Sequence, residues 1–560
     1  MKLATLLYCV LICLTLIVWK FLSQPSEYMT DWANSQLAFY HGSTSSWSVT
    51  TGKYADICRE PPPISNRKQH GYFLHITDMH VDLDYKDGAT VKSACHFVPS
   101  TSILKKNKQT SVLAGKYGAP GERCDAPINL AKETLDWISK EWKDKLDFVI
   151  WTGDNAKHNW DKKNHKRKRR DVYELNQRVT ELMMETFWTN DKIPVIPSFG
   201  NNDVYPHNQI GGSDVDGDLL YFFERLWRPL IPIRQRTTFK EGGGYYIVKV
   251  APRLNVITLN SMYFYYKNKA VNNCVHIDSP ASGQLRWFES QLEKARQLNE
   301  KVYVIGHIPP SPRDYKNTCL EEYKRVAAIY SDVIQGHFFA HLNMDHFLLF
   351  DGRDNIKSSS PFSQQKPLEE MDDDDKPRIE DEDEGEHDIH TTRNVMRYMD
   401  WLKSMYQALE PLDGEIATPH EGHPPLFVIQ IAPSVIPVYS PSFRIYRYAL
   451  QSSDSLSKNT SQNRTHKKDE GIISRPYGTL LGFSQYYANL TKWNNPDMAE
   501  EENLQYELEY DTKEAYNMED LTVTSYYELA KLMVDGSEKG DKLWSKFCDH
   551  MLVKSQTVTT

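Results

Sequence analysis

Five short apolar runs in this chain each end on glycine, aspartate, histidine or asparagine, and that repeated ending constrains the fold more than any other feature. Residues 72–76 run into Thr77-Asp78-Met79-His80, and residues 148–151 into Gly153-Asp154-Asn155. The run around Val195 meets Gly200-Asn201-Asn202-Asp203, and residues 302–305 meet Gly306-His307. Residues 333–335 lead into Gly336-His337 and then Ala340-His341-Leu342-Asn343-Met344-Asp345-His346. Apolar runs this short, closed by glycine and polar residues, read as strands. Amphipathic helices lie between them. One covers residues 129–145, with Ala131, Leu135, Ile138 and Trp142 on one face; another carries Val172, Leu175, Val179, Leu182 and Phe187; a third covers 284–297. This alternation gives an α/β layered fold. Ligands in such sheets bind outside the carboxyl ends of the strands, and glycine there lets the next side chain turn across the cleft.

Carboxylate, imidazole and amide oxygen together suit divalent Mn, Mg, Zn, Co or Fe. The absence of thiolate argues against a structural zinc site. Two such ions about 3.5–4 Å apart grip a phosphoryl group and activate water for in-line attack. That chemistry needs one shared carboxylate, and Asp154 is the natural bridge. Each fragment alone is weak: a Gly-Asp pair is usually a turn, and a lone histidine is usually structural. Their joint occurrence at successive strand ends carries the reading.

The series Asp-x-His, Gly-Asp, Gly-Asn, Gly-His and a late histidine motif resembles the calcineurin-like metallophosphoesterase superfamily. Gly153-Asp154-Asn155-Ala156-Lys157-His158-Asn159-Trp160, with Ala432-Pro433-Ser434-Val435 and Pro441-Ser442-Phe443-Arg444, resembles its acid-sphingomyelinase-like branch. The whole layout, with Phe73-Leu74-His75-Ile76-Thr77-Asp78-Met79-His80 and Arg475-Pro476-Tyr477-Gly478-Thr479-Leu480, is similar to the vacuolar endopolyphosphatase family. The resemblance implies a four-layer α-β-β-α sandwich and a pair of divalent ions. By motif, Asp78 and His80 would hold the first ion, Asp154 would bridge, and Asn201, His307 and His341 would hold the second. Two positions depart from the superfamily pattern. The last histidine of Gly-His-x-His is Asn343, a weaker donor that would serve the first ion. The histidine expected after the Gly-Asn asparagine is Asn202, which carries no titratable proton. His158 is therefore the candidate general acid.

The resemblance implies inorganic polyphosphate as substrate, cut at internal phosphoanhydride bonds. A polyanion would be gripped by cations, and Lys157, Lys162 and Lys163 follow Asp154 directly, within a basic run reaching Arg170. A solvated loop or a processing site explains such a run equally well. The leaving phosphate is already acidic, so the loss of a histidine at Asn202 costs less here than in cleavage of an alkyl ester. A sphingomyelinase-like phosphodiesterase acting on lipid or nucleotide is the main alternative. A catalytically silent receptor on the same fold is the second, though Asp154 and Asn201 are both retained.

The apolar residues 3–18 carry no charge, and Trp19, Phe21 and Leu22 extend the segment to about the length that crosses a bilayer. No small-x-small site follows, which favours an uncleaved signal anchor over a cleaved leader. With two residues before the span, the body is expected on the lumenal side, as a single-pass type II protein of the vacuolar membrane. Of eight cysteines, Cys9 and Cys13 lie in the span, leaving an even six that allow three disulfides. Asn459, Asn463 and Asn489 are glycosylation acceptors. The net charge of −9 is uneven: residues 369–388 hold thirteen Asp and Glu against Lys376 and Arg378. The expected division is 1–22 for a cytosolic stub and anchor, 23–70 for a lumenal stalk, and 71–350 for the phosphoesterase core. A disordered acidic insertion follows at 351–392, then 393–500 completes the fold and 501–560 forms a helical extension. No nucleic-acid partner is expected; a homo-oligomer and processing proteases fit the layout.

Overall fold

A strand buried on both faces must be apolar nearly throughout, and His70–Ile76 (β1) is such a strand, buried from Phe73 onward. The computed structural model describes residues 69–100, 112–352, 392–411, 426–450, 475–495 and 503–555. The apolar segment 3–18, nearly all of the stalk, Cys58, most of the acidic insertion, Asn459 and Asn463 lie outside these residues. Among the described residues no helix is long and apolar enough to cross a membrane.

Two six-stranded sheets form the molecule. In the first, β1 is flanked by parallel Phe148–Trp151 (β2), which pairs in parallel with Val195–Pro197 (β3). In the second, Leu254–Thr258 (β5), Lys301–Ile305 (β6) and Ile334–Phe339 (β7) run parallel. Tyr246–Ala251 (β4) pairs antiparallel with β5, and His346–Asp351 (β8) pairs antiparallel with Leu426–Ile431 (β9), which is parallel to β7. Ser442–Ala449 (β10) returns antiparallel to β1, followed outward by Leu480–Tyr487 (β11) and Glu507–Asp511 (β12). The sheets face each other through aromatic side chains. Phe73 stacks on Phe148 and Tyr446 within its own sheet and meets Tyr303 and Phe338 of the other. Ile128–Glu141 (α1) covers the first sheet, with Trp137 against Phe443 and Tyr486. Arg169–Met183 (α2) lies beside it. Pro280–Gln297 (α3) and Asn317–Ile329 (α4) cover the second sheet, where Tyr323 meets Phe339 and Phe427. Val523–Met533 (α5) and Glu538–Met551 (α6) end the described chain.

Three sequence expectations need correction. The strand read at 333–335 continues to Phe339, so Gly336-His337 is strand and not a turn; His337 is buried and pairs with the Tyr323 hydroxyl at 2.8 Å. The apolar residues of 477–483 predict a strand there; it starts at Leu480, because Gly478 turns the chain in the left-handed region. The stretch 501–560 is not wholly helical: β12 forms the edge of the first sheet. Glu507 and Leu508 are exposed and Tyr510 is buried, as on a strand that borders solvent. Disulfides join Cys95 to Cys124 and Cys274 to Cys319, whereas Cys548 is a free thiol.

Candidate metal centre

The loops that follow β1, β2, β3, β6 and β7 meet at the carboxyl ends of the parallel strands. Backbone bonds knit the first two together: Asp78 N–H donates to Gly153 O at 2.9 Å and His80 N–H to Asp154 O at 3.0 Å. Gly153 has φ +83° and packs on Gly200, where a side chain on either residue would strike the other loop. Ile436 N–H donates to Asp78 O at 2.8 Å, so the Ala432–Val435 motif serves as a clamp on the first loop. Asp78, His80, Asp154, His341 and Asn343 all hold positive φ, which costs roughly 1–2 kcal/mol for each non-glycine residue. Five such residues at one focus mark a site whose geometry the surrounding fold imposes.

Asp154 stands at the centre. Its Oδ2 is 3.3 Å from His80 Nε2 and 3.2 Å from His307 Nε2. Asn202 grips it from behind, donating its backbone N–H to Oδ1 at 2.8 Å and Nδ2 to Oδ2 at 3.1 Å. Asn202 therefore orients the bridge and holds no proton for catalysis. The Nδ1 of His80 donates to Ala156 O at 3.2 Å, and the Nδ1 of His307 to Thr152 O at 2.8 Å. These carbonyls fix both tautomers. Each Nε2 is thereby left as a lone pair facing oxygen acceptors: Asp78 Oδ1 and Asp154 Oδ2 for His80, Asn201 Oδ1 and Asp154 Oδ2 for His307. Acceptor against acceptor is unfavourable unless a cation lies between. Asp78 Oδ1 and Asn343 Oδ1 are buried without hydrogen-bond partners, which again suits a cation. Asp78, His80 and Asp154 form one candidate ligand group and Asp154, His307 and His341 a second, sharing the aspartate.

The electrostatics agree. Burial opposes ionisation of Asp154, but His307 and His80 outweigh it and hold the carboxyl well below its usual range. Burial works against a charged His307, yet Asp154 and Asp78 lift it to about 9, so without an ion its Nε2 carries a proton in the place a cation would fill. Burial and the neighbouring His307 keep His341 neutral, the state of a ligand.

His158 lies beside this centre. Its ring is stacked between His80, at 4.1 Å, and Trp160, at 4.3 Å. Its Nδ1 is 2.6 Å from Asp125 Oδ1, which orients it. Lys157 is not open to a phosphate: its ammonium bonds Asp82 at 2.8 Å and Asp84 at 2.7 Å. Lys163, His165, Lys166 and Lys168 line a cavity of about 290 Å³, and Lys162 is exposed outside it. The sequence reading passed over Asp125, and gave Arg167 and Asp203 no role beyond the basic run and the motif that contain them. Arg167 is buried and donates to the carbonyls of Asn202 and Val204. Asp203 accepts the backbone N–H groups of Gly200, Asp154 and Asn155, stapling two ligand loops together. Its place in Gly200-Asn201-Asn202-Asp203 was its only signal.

Shared aspartate, paired imidazoles and asparagine at the ends of two facing sheets define a dimetal phosphoesterase centre, and residues 71–343 match the profile of calcineurin-like phosphoesterases. Residues 473–559 match that of the acid sphingomyelin phosphodiesterase C-terminal region. The endopolyphosphatase of Schizosaccharomyces pombe is 31% identical over 82% of this chain and 82% of its own length. That of Kluyveromyces lactis is 33% identical over 68% of this chain, and the alignment spans only 55% of that relative's length. That of Saccharomyces cerevisiae is 28% identical over 97% of this chain and 95% of its own. The chain belongs to the endopolyphosphatase family.

Proposed function

We propose that this protein hydrolyses internal phosphoanhydride bonds of inorganic polyphosphate, using two divalent ions that share Asp154. The observation that carries the reading is the convergence of two fixed Nε2 lone pairs on one buried carboxylate. Asp78, His80, Asp154 and Asn343 would hold one ion; Asp154, Asn201, His307 and His341 would hold the other. Such a pair, when bound, supplies Lewis acidity at the phosphoryl oxygens and an acidified water. Asn202 and Asp203 keep the bridge and its loop in register. His158, aligned by Asp125, would give its proton to the departing phosphate oxygen. Lys163, Lys166 and Lys168 offer charge to flanking phosphates in the cavity, while Lys157 supports the loop through its aspartates.

The two disulfides fit an oxidising compartment. With the apolar segment 3–18, they support a vacuolar, membrane-anchored enzyme with a lumenal body. Asn489 is exposed and caps the short helix Leu490–Trp493, a position open to glycosylation. The match at residues 473–559 favours a second reading, cleavage of choline-phosphate diesters. Purified protein given long-chain polyphosphate, and separately such diesters, distinguishes them by chain-length analysis. Shortened polyphosphate of intermediate length is expected. Cleavage of the diester alone ends the first reading.

A further inference from the structure

Next to the central loops lies a second histidine–carboxylate cluster that this chemistry does not use. His96 is buried, with Nε2 2.6 Å from Asp82 Oδ2 and Nδ1 3.1 Å from Asp161 Oδ2. The His165 ring lies beside it at 4.4 Å, and its Nδ1 is 3.3 Å from Asp84 Oδ2. One ligand atom each from His96, Asp161 and His165 comes within 4.8 Å of the other two. Three stretches of chain meet here: the loop after β1, the residues beside the Cys95–Cys124 disulfide, and the loop after β2.

Charge points the same way. Asp82 and Asp84 share the Lys157 ammonium and Asp161 faces His96, so with neutral imidazoles three carboxylates stand against one bonded lysine, an excess of two negative charges. One divalent cation balances them. Asp82 sits behind His96 as carboxylates sit behind metal-bound histidines elsewhere, accepting a hydrogen bond from Nε2–H and so leaving the Nδ1 lone pair toward Asp161. Two imidazoles and one carboxylate with an open fourth position are a ligand set for zinc and similar ions. His165 also borders the 290 Å³ cavity, which gives an ion a path from solvent.

We propose that His96, Asp161 and His165 hold a third divalent transition-metal ion, separate from the pair at Asp154. It would pin the loop at 158–168 onto the two loops that carry the central ligands, since Asp82 follows His80 by two residues and Lys157 follows Asp154 by three. The competing occupant is a proton. Burial disfavours an imidazolium at His96, but the bonds to Asp82 and Asp161 outweigh it and raise the ring above its usual value, so a proton is the occupant an ion must displace.

Metal content decides between them. The full chain is stripped with a chelator, reloaded with zinc alone, desalted and analysed by mass spectrometry. Three equivalents are expected for the wild type and two for His165→Ala and for Asp161→Asn. Both positions are partly exposed, and circular dichroism checks that the variants fold. Trypsin gives a second reading on the unmutated protein, at the lysines and arginines of 162–170. Zinc is expected to slow cleavage there at least several-fold, and to do so less in His165→Ala. Equal zinc content in all three proteins overturns the site, and so does a wild-type loop cut equally fast with and without zinc.

Discussion

Two knots of buried charge lie two residues apart in the sequence and have opposite characters. Around Asn343 the oxygens outnumber the donors. Asp78 Oδ1 and Asn343 Oδ1 have no partner, and two imidazole lone pairs point at Asp154. Around Asp345 the protein closes the account itself. Arg444 bonds Asp345 and donates to Gln485 at 2.8 Å, the Tyr510 hydroxyl donates to the other oxygen of Asp345, and Phe483 lies 4.5 Å beneath the guanidinium. Buried polar groups are normally satisfied from within. A knot that is satisfied therefore holds sheets together, and one left short of positive charge is built for a guest.

The largest break in this contrast is expected from Asp154→Ala. Removing the shared carboxylate should lower hydrolysis by about 10³-fold or more and release bound metal, with the melting temperature of the stripped protein little changed. Arg444→Met should do the reverse. Stripping the counterion from buried Asp345 should cost about 3–5 kcal/mol by denaturant unfolding, while the folded fraction keeps its metal stoichiometry. His158→Ala should reduce kcat about 10²-fold with little change in KM; an unchanged kcat would return His158 to a packing role between His80 and Trp160. Glu509, donated to by Gln485 at the edge of the closed knot, sharpens the comparison through pH. Burial lifts its carboxyl from 4.5 to about 8, so the folded state binds that proton more tightly than the unfolded chain does. Its contribution to stability should be fully present below the unfolded value and lost as pH rises through the folded one, roughly 2–4 kcal/mol, a component that Glu509→Gln removes in calorimetry. The smallest effect is expected from Asn343→His. It supplies a stronger donor to the first ion, shifting metal preference by competition titration while turnover stays within about tenfold.

The sequence made the candidate ligands legible because each lies in a loop that follows an apolar run, a local signal. Asp78, His80, Asp154, Asn201, His307 and His341 converge as that signal implies. What supports them was hidden, because contact and sequence distance are unrelated there. Asp125 reaches His158 across 33 residues and His96 reaches Asp161 across 65. Lys157 shows the converse error: a lysine in the right loop, spent on Asp82 and Asp84 instead of substrate. Gly336-His337 looked like another strand end, yet burial among Tyr323 and Phe427 carries the strand through it. The last strand escaped because charged residues alternate along an edge.

The left-handed backbone at Asp78, His80, Asp154, His341 and Asn343 has a consequence for the order of assembly. Aspartate, asparagine and histidine tolerate this backbone better than other side chains but do not prefer it, so the five settle once the sheets that frame them have closed. The centre should be the last part of the chain to become rigid, and amide exchange in the stripped protein should be fastest at these loops while β1 and β6 stay protected.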